Sequence, residues 1–321
     1  MPVPSPAKRP TMYFIGVSTS RSIIMRVFPA WARHLGFGDC ELKGVDLLQH
    51  DQPERYREVV RFIKGDPLSI GALVTTHKID LLHAAQDLFD GLDDFASLMG
   101  EVSSISKTDG RLLGAAKDPI SSGCAVDAFL PAGHWNRTRS DAFIMGAGGS
   151  SIALCSYLLK GKSAAGKPSR LFVSNRSAGR LEEMKRIHAR EGFDFPVQYV
   201  HTPRPQDNDA IVNVLASGSL VANATGLGKD GPGSPITDQA LMPLDGYAWD
   251  FNYRGDLVFL QQARAQASVR RLHVEDGWKY FIYGWLSVIA EVFHRDIPLV
   301  GAGFDELCRI AARERDVGAV A

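Results

Sequence analysis

The sequence predicts an α/β protein of two domains. Its 321 residues are more than a single hydrophobic core usually organises. Short apolar runs alternate with helix-length segments, which is typical of parallel sheets with helices packed on them. A glycine-rich turn lies between an apolar strand and an apolar helix in the second half of the chain. Together these observations favour two α/β domains, the second built on a parallel sheet.

The composition excludes several classes of protein. Apolar residues make up 45% and charged residues 22%, and the formal net charge of zero gives no electrostatic reason to expect a nucleic acid or an anionic membrane as partner. The four cysteines form no CxxC pair, which favours reduced core residues and argues against a disulfide framework or a metal site. We expect a cytoplasmic protein, since no apolar run approaches 18 residues. The proline-rich start, MPVPSPAKRP, predicts a frayed leader.

The first domain follows from apolar periodicity. "MYFIGV" (12–17) predicts a strand, and the apolar residues that follow it recur at helical spacing. We then expect a strand near 42–46, a helix near 53–64 and a buried strand ending in "GALV" (71–74). "KIDLLHAAQDLF" predicts a helix, and "EVSSISKTDGRLLGAA" predicts two short strands around a Thr-Asp-Gly turn.

The second domain begins after Trp135. "DAFIMGAGGSSIALCSYLLKG" predicts a strand, a glycine turn and a helix, and "SRLFVSNRS" with "AGRLEEMKRIHARE" predicts the next strand and helix. "PVQYV", "LVANAT" and "YAWDF" supply further strands. The long apolar helix in "DGWKYFIYGWLSVIAEVFHRDIP" is expected to return to the first domain. We place the first domain at 1–120 with 275–321, and the second at 121–274.

The glycine turn predicts a dinucleotide site. Gly146, Gly148 and Gly149, followed by Ser150, stand between strand and helix, where glycines let backbone N–H groups approach a pyrophosphate. Ser151 takes the third small position of the fingerprint. The alternative is a tight turn in some other α/β protein.

The next strand end predicts which dinucleotide is bound. An NAD site usually carries Asp or Glu there, whereas "SNRSAGR" carries Asn175, Arg176, Ser177 and Arg180. Arginine can pair with a 2′-phosphate, which a carboxylate would repel. The sequence therefore favours NADP, with solvated surface arginines as the alternative.

An ordered series of motifs across most of residues 12–295 resembles the shikimate dehydrogenase family. "GAGGSS" is similar to the family glycine turn, "NRS" to its Asn-Arg-Thr motif, "NATGLG" to its Asn-Ala-Thr loop and "DFNY" to its Asp-x-x-Tyr strand end. "VTTHK" resembles Val-Thr-x-Pro-x-Lys without the proline, and "AKDPISSG" keeps one residue, Asp118, of the Asn-Thr-Asp triplet.

The resemblance implies a fold, a pathway and a set of cofactor residues. The family has a discontinuous α/β substrate domain completed by a C-terminal helix, a Rossmann-like NADP-binding domain and an active site in the cleft between them. It serves the shikimate pathway of aromatic amino acid biosynthesis. Carried onto this chain, the cofactor-binding residues are Gly146, Gly148, Gly149, Ser150, Asn175, Arg176, Ser177, Arg180, Asn223, Thr225 and Gly226.

The same resemblance implies a catalytic pair, Lys78 and Asp118. Oxidation of a secondary alcohol requires removal of the hydroxyl proton, which lysine can accept if burial lowers its pKa. The carboxylate would orient the ammonium and bind the same hydroxyl. The alternative is an ordinary surface ion pair.

The predicted substrate residues are Ser20, Ser22, Thr76, Ser103 and Tyr253. Ser20 and Ser22 keep the family Ser-x-Ser spacing, although Ser18 or Thr19 could take that place. Family asparagines fall on Ser103 and Ala116, and a family glutamine falls on Gly284, among Trp278, Tyr280 and Tyr283. These aromatics are either pocket or core residues.

The substitutions leave the substrate open between shikimate and a relative such as quinate, amino-shikimate or another polyol acid. A non-catalytic NADP-binding protein is the further alternative. We expect a small cyclic hydroxy-acid as partner, no metal, no nucleic acid and no membrane, and leave a homodimer open.

Overall fold

The protein forms two compact units in the computed structural model, which describes residues 4–229 and 231–317. One unit is built from residues up to 117 and from 284 onward, and the other spans Asp118–Tyr283. Each unit has its own six-stranded sheet and its own helices. The predicted α/β class is therefore confirmed. The assignment of functions to the two predicted domains stays a prediction.

The first unit alternates strands and helices along the chain. Its elements are β1 (Thr11–Gly16), α1 (Ile24–His34), β2 (Glu41–Asp46), α2 (Pro53–Gly65), β3 (Ser69–Val74), α3 (Lys78–Ala85), β4 (Gly91–Leu92), α4 (Asp94–Met99), β5 (Ser104–Thr108) and β6 (Arg111–Ala115). The sheet order is β2-β1-β3-β5-β6-β4. Because β1, β2 and β3 are parallel, their carboxyl ends lie at one edge of the sheet.

The predicted pair of strands around the Thr-Asp-Gly turn is confirmed. β5 and β6 pair antiparallel from Ser104 opposite Ala115 to Thr108 opposite Arg111. The two turn residues, Asp109 and Gly110, have φ angles of 50° and 75°. Two consecutive residues with positive φ give a turn whose twist matches that of the paired strands.

The expectation of a frayed leader is wrong for the described part of that segment. Ala7 is buried, and its N–H donates to the Asp66 carboxylate at 2.8 Å. The same carboxylate accepts from the N–H groups of Leu68 and Ser69. Hydrogen bonding to a buried carboxylate, which no local pattern signals, docks the segment before β1. Residues 1–3 lie outside the described part of the chain.

The second unit contains the elements of the predicted parallel sheet. They are α5 (Asp118–Asp127), α6 (His134–Thr138), β7 (Ala142–Met145), α7 (Gly149–Leu159), β8 (Leu171–Asn175), α8 (Ala178–Glu191), β9 (Val197–His201), α9 (Pro205–Val212), β10 (Leu220–Asn223), β11 (Tyr247–Asp250), α10 (Val258–Arg270) and β12 (His273–Glu275). Its hydrophobic core includes Phe143, Phe172, Met242 and Phe259.

The order of this second sheet is β12-β11-β10-β7-β8-β9, with every neighbouring pair parallel. Counted along the unit, its strands stand in the order 6-5-4-1-2-3, which is the doubly wound order of dinucleotide-binding domains. The order reverses beside β7. In such sheets, ligands bind outside the carboxyl ends of the strands at this position.

Two helices close the chain. α11 (Trp278–Phe293) begins in the second unit and ends in the first, where Phe293 stacks on Phe37 with ring centroids 4.1 Å apart. α12 (Gly301–Val317) was not predicted, and its Leu307 carbonyl accepts from the Trp31 indole at 2.9 Å.

No helix within residues 4–229 and 231–317 combines the length and apolar character needed to cross a membrane.

Replacing Gly284 by alanine is expected to stabilise the protein. Gly284 lies inside α11, and a Cβ added there would meet no atom within 4 Å. Alanine should raise the free energy of unfolding by about 0.5–1 kcal/mol, because glycine loses more conformational freedom in a helix. Urea denaturation measures the change.

Gly71→Ala is the matched control. Gly71 has a φ of +143°, and its added Cβ would clash with the Ile105 carbonyl oxygen. We expect a loss of about 2 kcal/mol or more at this site. Equal effects of the two substitutions would contradict this account of the glycines.

Candidate functional site

The chain turns from β7 into α7 at Gly146, whose φ of +112° favours glycine. Its N–H donates to the Ser174 carbonyl at 2.7 Å, and an added Cβ would lie 2.7 Å from the Ala224 carbonyl oxygen. Gly148 caps α7 and Gly149 is its first residue, so the first N–H groups have no partner within the helix. The turn fits a dinucleotide pyrophosphate, because unpaired N–H groups and the helix dipole favour phosphate there.

A cavity of about 640 Å³ opens at the carboxyl edge of this sheet. Its volume lies within the range of about 300–1,000 Å³ that small-molecule and cofactor pockets occupy. Predicted cofactor residues that line it are Gly146, Gly148, Asn175, Arg176, Ser177, Arg180 and Thr225. Gly149, Ser150, Asn223 and Gly226 do not line it. No group of three or more His, Cys, Asp or Glu in the described part of the chain is placed to hold a metal ion.

The strand end that predicts NADP presents its arginines to this cavity. Asn175 donates from Nδ2 to the Ser177 carbonyl at 3.0 Å, which closes the turn from β8 to α8. Arg180 pairs with Glu183 one helical turn on, at 2.5 Å. No Asp or Glu is among the described residues that line the cavity. The wall is therefore cationic, as a phosphate ester requires.

The next strand end also contributes to the cavity, which the sequence motifs did not predict. β9 ends at His201, and Thr202, Arg204 and Asn208 line the same cavity. The signal was present in "PRPQDN", an arginine and a proline directly before a helix at the third strand end. It is the same type of signal that singled out the second strand end.

The loop after β10 is held by the buried side chain of Asn223. Its Oδ1 accepts from the N–H and the hydroxyl of Thr225, at 3.1 and 2.7 Å. Its Nδ2 donates to the Leu227 carbonyl and to Asp250 Oδ1, at 3.3 and 3.2 Å. Asn252 also donates from Nδ2 to Leu227, at 3.1 Å. These bonds fix the loop that brings Thr225 to the cavity.

Asp250 is fully buried beneath that loop. Burial raises the pKa of Asp250 to about 6, against the lowering effect of hydrogen bonds from Asn252 and Asn223. Its Oδ1 accepts from the Asn252 N–H at 2.9 Å, while no described residue hydrogen-bonds to Oδ2. The carboxylate holds the loop through these hydrogen bonds, although its desolvation costs free energy.

Asp118, the predicted carboxylate of the catalytic pair, is the buried first residue of α5. The Tyr280 hydroxyl lies 3.4 Å from Asp118 Oδ1 and 3.1 Å from Ser150 Oγ. The Tyr280 ring packs edge-on against Phe251 and Trp249. Tyr280 thus joins Asp118 to Ser150 of the glycine turn.

Lys78, the predicted base, is the half-buried first residue of α3. Its carbonyl accepts from the Val102 N–H at 3.2 Å. His77 before it is fully buried, with Nδ1 3.2 Å from the Tyr56 hydroxyl, and burial lowers its pKa. The backbone at Lys78 is therefore held by contacts on both sides.

The residues of the predicted substrate loop differ in their exposure and hydrogen bonding. Ser20 is exposed and Ser22 is half-buried, while Thr19 between strand and helix is buried. Thr19 donates its N–H and its hydroxyl to Asp46 Oδ1, at 2.7 and 2.6 Å. Thr76 is exposed just beyond β3. A carboxylate of the protein thus already occupies two donors of this loop.

The other two predicted substrate residues are engaged within their own units. Ser103 is buried, and its Oγ accepts from the Lys117 N–H at 2.8 Å. Tyr253 packs against Trp278 and Phe281, with ring centroids 5.6 and 4.8 Å away. Substrate contact by these side chains stays a prediction.

Comparisons with known sequences find shikimate dehydrogenases. No family model matches the chain. A shikimate dehydrogenase (NADP(+)) of Streptococcus gordonii is 28% identical over 178 residues, 55% of this chain and 58% of the relative. A shikimate dehydrogenase (NADP(+)) of Brucella abortus strain S19 is 27% identical over 238 residues, 73% of this chain and 72% of the relative. The chain thus spans little more than half of the first relative.

Comparisons with solved structures identify the same fold. Shikimate dehydrogenase of Aquifex aeolicus has a TM-score of 0.71 at 18% identity, over 96% of this chain and 98% of that one. Shikimate 5-dehydrogenase of Thermus thermophilus, solved with NADP(H) and shikimate, gives 0.68 at 19%, over 95% and 99%. A 5-ketofructose reductase of Gluconobacter sp. strain CHM43 gives 0.67 at 16%, over 95% and 99%. The likeness extends over both units.

Asp250→Asn tests the buried carboxylate through the pH dependence of stability. Folding raises the pKa of Asp250 from 3.8 to about 6, so the protonated carboxyl stabilises the folded state at low pH. This stabilisation is lost as the pH rises between these values. The stability of the wild type relative to Asp250→Asn should therefore fall by about 2–3 kcal/mol from pH 4 to pH 7. Urea denaturation across this range measures the difference.

Asp245→Asn serves as the control. Asp245 pairs with Arg271, and this partner lowers the pKa of the carboxyl, so the wild type should gain relative stability as the pH rises. A flat difference for Asp250→Asn would contradict the assignment of a buried, raised carboxyl.

Proposed function

We propose that the chain, which is similar to shikimate dehydrogenases in sequence and fold, is an NADP-dependent oxidoreductase of that type. Its reaction would be reversible hydride transfer between NADP(H) and a ring hydroxyl or ketone of shikimate or a related cyclic hydroxy-acid. The observation that carries the proposal is the cavity that joins the glycine turn to Arg176 and Arg180. The second unit would hold the cofactor and the first the substrate.

NADP rather than NAD follows from the charge of the cavity. The residues that would hold the cofactor are the glycine turn, Asn175 to Ser177, Arg180 and the loop at Thr225. Arg176 and Arg180 would pair with a 2′-phosphate, and no described lining residue is a carboxylate that would select a free ribose diol. When bound, the nicotinamide supplies the hydride acceptor or donor.

Lys78 and Asp118 would move and hold the proton of the reacting hydroxyl. In alcohol oxidation, Lys78 Nζ takes the hydroxyl proton, and in ketone reduction the ammonium returns it to the carbonyl oxygen. Asp118 would accept a hydrogen bond from the same hydroxyl and so orient it. The fixed backbone at the start of α3 supports this role, since a general base must be held in one position.

A second candidate keeps the fold and cofactor but changes the substrate. Asp46 places a negative charge at the loop expected to bind the substrate carboxylate through Ser20 and Ser22. Ser103 is engaged with the backbone, and Gly284 offers no side chain in place of the family glutamine. Quinate, amino-shikimate and a neutral polyol ketone such as 5-ketofructose are therefore included in the test. Cytoplasmic location and a homodimer stay proposals.

The deciding experiment follows absorbance at 340 nm with NADP and shikimate, quinate, amino-shikimate or unrelated polyols, and with NADPH and 5-ketofructose. Lys78→Ala should lower kcat by about 10²–10⁴-fold, as loss of a general acid or base does, while NADP binding is kept. Asp118→Asn should lower kcat by about 10²-fold. Lys64→Ala, which removes a lysine paired with Asp90 on the surface, is the control and should be active.

Each outcome selects a different function. Turnover of shikimate supports the main proposal, and turnover of another compound supports the changed substrate. Binding of NADP without turnover of any compound would favour the non-catalytic alternative. Full activity of Lys78→Ala would contradict the assigned base.

Tyr280→Phe tests whether the Tyr280 hydroxyl positions Asp118, separately from the packing of the Tyr280 ring. The ring contacts with Phe251 and Trp249 are kept, while the hydroxyl between Asp118 and Ser150 is lost. We expect kcat to fall about tenfold with little change in thermal stability, because Asp118 loses a fixed neighbour. Steady-state kinetics and thermal melting measure the two effects.

Tyr199→Phe is the matched control. It removes a hydroxyl of the same unit that bonds His188 at 2.5 Å and is not hydrogen-bonded to Asp118 or Ser150. It should change stability without a comparable loss of kcat. Equal losses of kcat in the two variants would argue against a specific role for Tyr280.

A further inference from the structure

A third arginine lines the proposed cofactor cavity. Arg204 is the N-cap residue of α9, three residues after the end of β9, and it lines the cavity together with Arg176 and Arg180. The segment "SNRSAGR" accounts for only the latter two. β8 and β9 are adjacent parallel strands, so their carboxyl ends meet at the same edge of the sheet. Arg204 therefore reaches the cavity from a different element of the fold.

The Arg204 side chain is held in place by Asp207. Nη2 donates to Asp207 Oδ1 at 2.7 Å, and Nε lies 3.4 Å from Oδ2. The same carboxylate accepts from the backbone N–H of Arg204 at 3.0 Å, which fixes both residues at the start of α9. The guanidinium has five N–H donors, so this pairing leaves donors for a second anion. Arg204 is thus oriented before any ligand binds.

The charge balance of the cavity favours an anionic ligand. Arg180 and Arg204 each have a carboxylate partner three residues on, whereas no described residue forms an ion pair with Arg176. The described lining residues contribute three guanidinium groups and no carboxylate. Glu183 and Asp207 balance two of these charges, so the positive charge of Arg176 is left over. A ribose diol would leave it unbalanced, while a phosphate monoester carries nearly two negative charges at neutral pH.

The segment that carries Arg204 has two further polar groups at the cavity. Thr202 and Asn208 are buried residues that line it, and neither Thr202 Oγ1 nor Asn208 Oδ1 has a hydrogen-bond partner within the described residues. Asn208 uses only its Nδ2, which donates to the Pro235 carbonyl at 2.8 Å. Buried polar groups without partners are rare, so these two atoms mark the wall beside Arg204 as unusually polar.

We propose that Arg204 is a specificity-determining residue, whose guanidinium joins Arg176 and Arg180 in binding the 2′-phosphate of NADP. The inference rests on the proposed function, because it assumes that this cavity holds the cofactor. It extends the phosphate site from one strand end to two. Recognition of NADP over NAD then depends on the β9–α9 segment as well as on the β8–α8 segment.

The alternative is that Arg204 and Asp207 form only a solvated surface ion pair, since the Arg204 side chain is 73% exposed. The two roles predict different effects of Arg204→Ala on the dissociation constants of NADP and NAD. If Arg204 forms only a surface pair, its loss should change both constants equally, because both dinucleotides contain the adenosine and the pyrophosphate. A 2′-phosphate contact affects NADP alone.

The test measures dissociation constants of NADP and NAD by isothermal titration calorimetry with the full chain. Arg204→Ala should weaken NADP binding about tenfold, as expected for one charge-assisted contact, and change NAD binding less than twofold. Arg204→Lys should restore part of the loss, because it keeps the charge without the planar fork. The salt dependence of NADP binding should become shallower in Arg204→Ala.

Arg271→Ala is the matched control, since Arg271 forms an equivalent two-contact pair with Asp245 and does not line the cavity. It should leave both dissociation constants unchanged. Equal changes for NADP and NAD in Arg204→Ala, or no change in either, would overturn the inference.

Arg176→Ala distinguishes this failure from failure of the proposed function. If the wild type binds NADP and Arg176→Ala weakens it while Arg204→Ala does not, the cofactor site stands and only the role of Arg204 is wrong. If the wild type binds neither dinucleotide, the proposed function fails and the inference falls with it.

Discussion

The candidate site depends on one close approach of backbone to backbone, where the turn after β7 meets the loop after β10. Gly146 has no room for a side chain beside Ala224, whose own N–H donates to the Met145 carbonyl at 2.8 Å. β7 and β10 are parallel neighbours, so both connections leave the sheet at the same edge. This contact sets where α7 begins and therefore where its unpaired N–H groups lie. The glycine is required by geometry, whatever the ligand.

The loop on the other side of this contact is stabilised by buried polar groups. Asn223 and Asp250 are paired residues at the ends of β10 and β11, which places their side chains close enough to bond each other. Desolvation of the Asp250 carboxyl works against stability above its raised pKa. The hydrogen bonds that this carboxyl accepts hold Asn223 and Asn252 against Leu227. A fixed loop is thus obtained with some loss of stability, as is common at functional sites.

Local sequence patterns predicted the elements that depend on residues close together in the chain. Apolar runs located the strands of both sheets except the short edge strands β4 and β12, and the Asp-Gly pair at 109–110 located the hairpin. α12 was not predicted, although Phe304, Leu307 and Ala311 are buried at helical spacing. Contacts such as Ala7 with Asp66 and Thr19 with Asp46 join residues far apart in sequence, so no pattern within a window can predict them.

Cofactor binding and substrate recognition, the two parts of the proposed function, depend on different structural features. Binding of a pyrophosphate at the glycine turn uses backbone geometry, which few substitutions can preserve. Recognition of substrate hydroxyl and carboxylate groups uses individual side chains, and replacing one of them changes discrimination far more than it changes folding. The glycine turn and the Asn-Arg-Ser motif accordingly line one cavity, while Ser103 and Gly284 stand where the resemblance predicts substrate residues and Asp46 bonds the first loop. A chain of this kind can keep its hydride chemistry while its substrate changes.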